Sequence, residues 1–318
     1  MLTFRRLLFV CAIATPAACL ALAAPALAAA PKVTTGAAGS LTYQSATLTG
    51  TVNPGGESTE VYFQYGTTAK YGAQSAPAEL PAGAAAVAVS IPIASLTADT
   101  VYHYRLVATS GAGTVLGADR AFRTAKIPLS LAITAAPNPA PFGGPVTIEG
   151  TLSGTGSAGA VVQLQQSAYP YTEGWSNIGN PELTLANGTF LFNELGIGLN
   201  TEYRVVSGNV ASADVAVAVS LAVTMVAQPK GTRRHPTIHF TGTIAPAEPS
   251  ARIAFERLVG THWKVVGGTI AKVAVNNGVV GFSDTVRVHK GGFFRALVLP
   301  VEGSHVSGYS DTQIVKIK

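Results

Sequence analysis

The chain has 318 residues and a net charge of +5, and only 12% of its residues are charged, while 34 are glycine and 19 proline. Glycine and proline recur throughout and helical periodicity is scarce, which argues against helical and α/β architectures and favours an all-β fold. The charge is uneven: residues 29–125 balance at zero with five bases and five acids, 126–216 carry two bases against six acids, and 217–318 carry twelve against five. A basic module beside an acidic one bears on partners rather than on fold.

Arg5 and Arg6 precede an apolar run from Leu7, and Ala26-Leu27-Ala28 places small residues at a cleavage position. This is the arrangement of a secretory signal peptide spanning 1–28, cleaved after Ala28; the apolar stretch is also about long enough for an uncleaved anchor. Cys11 and Cys19 both lie inside it, so the mature chain is expected to hold no disulfide and no cysteine-ligated metal. No second long apolar segment follows.

Beyond the leader one phrase occurs three times: Leu48-Thr49-Gly50-Thr51-Val52, Ile148-Glu149-Gly150-Thr151-Leu152 and Phe240-Thr241-Gly242-Thr243-Ile244. Apolar residues at every second position with polar residues opposite predict a strand with one face on a core. The glycine at the same inward position predicts a bulky side chain close over the backbone, and Trp175 and Trp263 are the expected occupants in copies two and three. An aromatic-arginine pair follows each glycine: Tyr104-Arg105, Tyr203-Arg204 and Phe294-Arg295. Self-similarity at domain length predicts three tandem antiparallel β-sandwiches, at 29–125, 126–216 and 217–318.

In the first module, Thr47–Gly56 followed by Val61-Tyr62-Phe63-Gln64-Tyr65-Gly66-Thr67-Thr68, then Leu96, Thr100, Tyr102, Tyr104-Arg105, Ala108 and Phe122-Arg123-Thr124, resembles bacterial fibronectin type III domains. The resemblance covers about ninety residues and implies a seven-stranded sandwich. It carries over no catalytic residue, since such domains serve as spacers, adhesive modules and appendages of secreted carbohydrate-active enzymes. The two later modules look like Ig-like sandwiches of no identified family. The residues of the first module read the same way unaided. Asn53-Pro54-Gly55-Gly56 is a turn, Val61, Phe63 and Tyr65 share an inward face, as do Tyr102, Tyr104, Leu106 and Ala108, and Tyr102 sits where a tyrosine corner bonds back to nearby backbone. His103 and Arg105 point outward.

In the second module Pro137–Gly144 predicts a long, stiff loop, Ala160–Gln165 a strand, and Asn187-Gly188 a two-residue hairpin turn. The loop Tyr169-Pro170-Tyr171-Thr172-Glu173-Gly174-Trp175 offers Tyr169 and Tyr171 as exposed rings able to stack on sugars. Ordinary loop packing is the competing reading. The junctions at Thr124–Pro128 and Val215–Thr224 lack glycine-serine tracts and are expected to be stiff.

The third module holds His235, His239, His262, His289 and His305, without helical zinc-site spacing. Strand alternation predicts that Lys230, Arg233, Arg234, His235, His262, His289, Lys290, Lys316 and Lys318 converge on its free tip, if Trp263–Val275 acts as one strand. No metal, cofactor or catalytic set is expected: there is no EF-hand loop, nucleophile motif or convergent His-carboxylate set. The expected function is a non-enzymatic secreted or cell-surface spacer or adhesive display. The alternative is attachment to an anionic cell-wall polymer or polysaccharide through the basic tip or the Tyr169–Tyr171 loop.

Overall fold

The computed structural model describes residues 29–194 and 196–317, so the leader expectation and Lys318 lie outside the described residues. All regular structure in them is β, arranged as three sandwiches that repeat one topology. In the first, Lys32–Thr35, Ala46–Asn53 and Val87–Ile93 form one sheet in that order. Thr59–Gly66 and Val101–Ser110 are the centre of the other, flanked by Ala73–Gln74, Ala78–Leu80, Gly113–Leu116 and Arg120–Arg123. The second repeats this with Ser130–Ala136, Val146–Ser153 and Thr189–Glu194 facing a sheet centred on Val161–Ala168 and Thr201–Ser207. In the third, Ala222–Thr232, His235–Ala245 and Val279–Arg287 face a sheet centred on Arg252–Val259 and Gly292–Leu299. Here alone the first sheet gains a fourth strand, Lys272–Asn276. That is a correction to the single strand expected from Trp263 to Val275: His262–Ile270 pairs with Arg252–Val259, and the chain then changes sheets at the buried Ala271.

Each module closes its own core, as alternation requires. Leu48, Phe63, Tyr104 and Leu106 anchor the first, Ile148, Leu164 and Tyr203 the second, and Phe240, Phe255 and Phe294 the third, all at 2% exposure or less. Tyr102 performs the predicted corner, its hydroxyl accepting the Thr97 amide N–H at 3.0 Å. The repeated glycines do lie under bulk, but not under tryptophan. A methyl group on Gly50 would approach Leu106 Cδ2 to 2.6 Å, and one on Gly150 or Gly242 would overlap the ring of Phe190 or Phe282. The cross-strand residue on the same face fills the space: Phe190 pairs with Gly150 and Phe282 with Gly242. The Asn187-Gly188 turn forms, but only Gly188 takes positive φ, and Leu185 N–H reaches Thr189 O across three residues rather than two.

Residues up to Ala125 form one compact unit and Lys126–Lys318 a second, which therefore holds two sandwiches. Within that second unit the loop Pro137–Gly144 is built into the junction. Its residues Ala140–Pro141 pair in parallel with Val219–Ser220, and Ser220 in turn bridges in parallel to Val306. Asn138 bonds Ala216 O and Ala218 N. Asn200 bonds Val219 N through its carbonyl oxygen and Gly303 O through its amide. With no free segment between them, the second and third modules are joined by a hydrogen-bonded strand.

Candidate binding surfaces

The basic residues of the third module gather at its end away from the second. Ala222–Thr232 and His235–Ala245 run as one long hairpin whose turn carries Arg233 and Arg234, both exposed, with Gly231 at a φ of 90°. Lys230, Arg233 and Lys316 line a shared hollow of about 350 Å³. The Val288 N–H donates to Pro236 O, which brings the loop bearing exposed His289 and Lys290 beside the hairpin. Val259 pairs with His262 in the next hairpin, whose Arg257 donates through Nε to Gly291 O at 3.0 Å. Two participants are absent from the sequence reading: Arg257, and Arg287, whose Nη2 lies 3.4 Å from His235 Nδ1. Arg287 ends a strand that runs toward this tip and Arg257 lies two residues before the end of another, and alternate strand direction was the signal available for both. Apart from Arg257 these cations are exposed, so their sum is a field rather than a set of pairs.

The Tyr169–Tyr171 loop behaves differently, and the expectation of two exposed sugar-stacking rings is corrected for one of them. Tyr169 is half-buried: its ring packs on Gly303 of the third module, and its N–H donates to Asn200 O. Tyr171 stands edge-on to it at 5.9 Å and is 40% exposed. Partial burial raises the Tyr171 hydroxyl above its ordinary pKa, with Glu202 and Tyr169 adding to the effect. The loop therefore serves the junction with one ring and leaves the other accessible.

The tryptophans mark a third feature, repeated in every module on the outer face of the larger sheet. Arg105, Arg204 and Arg295 each donate through Nε to the residue directly across: Gln64 at 2.8 Å, Gln165 at 2.8 Å and Glu256 at 2.7 Å. An aromatic ring then covers the guanidinium: Tyr71 at 4.7 Å, Trp175 at 4.3 Å, and Trp263 and Tyr309 both at 4.2 Å. The aromatic half of the sequence pair fills the core while the arginine half builds this stack outside. Trp175 and Trp263 are thus covers for a cation, an attraction between the ring's negative face and the guanidinium, and not core residues. In the first module the cluster extends further. The Tyr71 hydroxyl donates to Asp119 Oδ1 and His103 Nδ1 meets Asp119 Oδ2, both at 2.9 Å, so His103 is paired rather than merely solvated. Partial burial draws the Asp119 carboxyl upward, but the His103 and Tyr71 hydrogen bonds outweigh it and hold the pKa below the ordinary value.

His305, passed over in the sequence, is buried at the junction. Its Nε2 lies 2.8 Å from Gly198 O, its Nδ1 3.3 Å from the buried Glu248 and 2.9 Å from Ser304 Oγ, and its ring leans on Phe142. Nothing local in sequence distinguished it from the exposed histidines. Among the described residues no three His, Cys, Asp or Glu side chains come together as metal ligands, and no helix is long and apolar enough to cross a membrane.

With these surfaces defined, comparison with known proteins adds little. No family model matches the chain, and no curated protein does. Among solved structures, the chain is similar to the crystal structure of a tetra-tandem repeat in the extending region of a large adhesion protein. The match has 14% identity and a TM-score of 0.28, covering 90% of this chain and 74% of that one. At that score the likeness carries no argument about function.

Proposed function

We propose that this protein is a secreted, non-enzymatic chain of β-sandwich modules that acts as a spacer and adhesive display outside the cell. The observation that carries the reading is the junction in the second unit. Asn138, Asn200 and the parallel pairing at Val219–Ser220 tie two modules together where a flexible linker would let them swing. The leader supports export, and the first module's resemblance to fibronectin type III domains supports a display role. Incubation with cell-wall polysaccharides followed by assay for released sugars tests the non-enzymatic part; sustained release of products would end it.

The gathered bases favour a second reading, in which the tip holds an anionic cell-wall polymer such as a teichoic acid or acidic polysaccharide. Binding to a polyanion by counterion release weakens steeply as salt rises. Pull-down of the full chain on purified cell walls over a salt series should show that decline, and reversing Arg233, Arg234 and Lys290 to Glu together should weaken the binding. Salt-insensitive retention would rule out the tip and direct attention to the exposed Tyr171.

A further inference from the structure

The basic tip has a surface of opposite character in the second module. On the outer face of the sheet Ser130–Ala136, Val146–Ser153 and Thr189–Glu194 lies a cleft of about 610 Å³, lined among others by Thr134, Glu149, Glu182, Leu183, Leu185 and Leu191. Leu183, Leu185 and Leu191 are 63%, 64% and 48% exposed. Single surface leucines are ordinary, but three around one concavity mark a contact surface. Glu149 and Glu182 are exposed beside them, and none of the four ion pairs among the described residues uses either.

The cleft exists because of a strand that changed sides. In the third module Lys272–Asn276 pairs with Val279–Arg287 and completes that sheet. In the second, the segment before the corresponding strand pairs instead across the sandwich, Leu183 with Val161 and Glu182 with Val162. Thr189–Glu194 is left as an edge, with the leucines of the crossing segment standing beside it uncovered.

An occupant must combine apolar stems with cationic heads, which is the description of arginine. The chain offers two on a projecting element. The hairpin register runs to Thr232 opposite His235, while the neighbouring strand stops at Arg287 opposite Thr237, so Arg233 and Arg234 stand beyond the sheet. Charge totals agree: two bases against six acids over 126–216, and twelve against five over 217–318. The hairpin turn lies at the end of the third module remote from the second, so it cannot reach the cleft of its own chain. The occupant is a second copy.

We propose that the protein associates with itself head to tail, the Arg233-Arg234 turn of one copy entering the leucine cleft of the next, with Glu149 and Glu182 receiving the guanidinium groups. Such a contact joins two different surfaces, so it adds copies in series, as a closed ring of several copies or an open filament, rather than as a symmetric pair. It uses the same tip as the polymer reading but needs the cleft as well, and the two are separable because Glu149 and Glu182 have no part in binding a polyanion.

Sedimentation velocity of the full chain, without polymer, should show species that grow with concentration and shrink with added salt. Glu149→Lys/Glu182→Lys and Arg233→Glu/Arg234→Glu should each remain monomeric, weakened at least tenfold, while melting as the parent does. Mixing the two variants should restore association, since each then presents a tip complementary to the other's cleft. A chain that is monomeric throughout, a dimer that stops at two copies, or cleft variants that associate like the parent would each overturn the proposal.

Discussion

Gly242→Val in the third module tests the packing behind the repeated phrase. A Cβ at Gly242 would collide with the Phe282 ring on one side and the Thr224 carbonyl oxygen on the other. Phe282 is 4% exposed and packed in the core, and Thr224 lies opposite Thr243 in the paired strand, so neither has room to retreat. Overpacking of this kind costs about 1–3 kcal/mol, and because one obstacle is backbone the upper end is expected. The second and third modules share one compact unit. If they melt together, each kcal/mol lowers Tm by about 2–4 °C, so the variant should melt about 6–12 °C lower. Gly281→Ala is the control: it lies in the same sheet, and the nearest atom to its Cβ would be 3.8 Å away. Calorimetry of both variants settles the matter. An unchanged Tm for Gly242→Val would mean that the glycine does not face the core and that the strand register is wrong by one residue.

Further outcomes follow from the outer-face stacks and the junction. Trp263→Ala should lower stability by about 0.5–2 kcal/mol, as loss of one half-buried cation–π cover does, against the roughly 3–5 kcal/mol expected of a core tryptophan; denaturant titration distinguishes them. Asn200→Ala removes a side chain that bonds both Val219 N and Gly303 O, and should raise amide hydrogen exchange around Val219–Leu221 before it changes the core of either module. For Asp119 the folded pKa lies below the unfolded one, so its contribution is present above the unfolded pKa and lost as pH falls through the folded value. His103→Ala should move the Asp119 carboxyl titration, followed by NMR, back toward higher pH.

Period-two alternation made most of this fold legible. The inward sets at Ala46–Val52, Val61–Phe63 and Tyr102–Ala108 are buried as their spacing implies, and Tyr102 finds its backbone partner five residues upstream. What alternation cannot show is which side chain closes over a glycine. That depends on the register between strands distant in sequence, and Phe190 and Phe282 occupy the place the tryptophans were expected to fill. For the same reason Trp263–Val275 read as one strand, because each half alternates and nothing marks the change of sheet at Ala271. The basic tip was legible because strand direction alone decides which loops share an end. His305 was not, because its burial is created by a neighbouring module and by no feature of its own segment.

The strand at the junction belongs to two cores at once: Val217 and Val219 pack into the second module, and Leu221 into the third. A cut after Ala216 would strip the second module of part of its own interior and leave the Asn138 and Asn200 side chains facing water. Within that second unit, the pair is therefore the smallest piece that can be duplicated, exchanged or inherited intact. A lineage that shuffles such modules would be expected to keep these two together and to vary their surfaces instead.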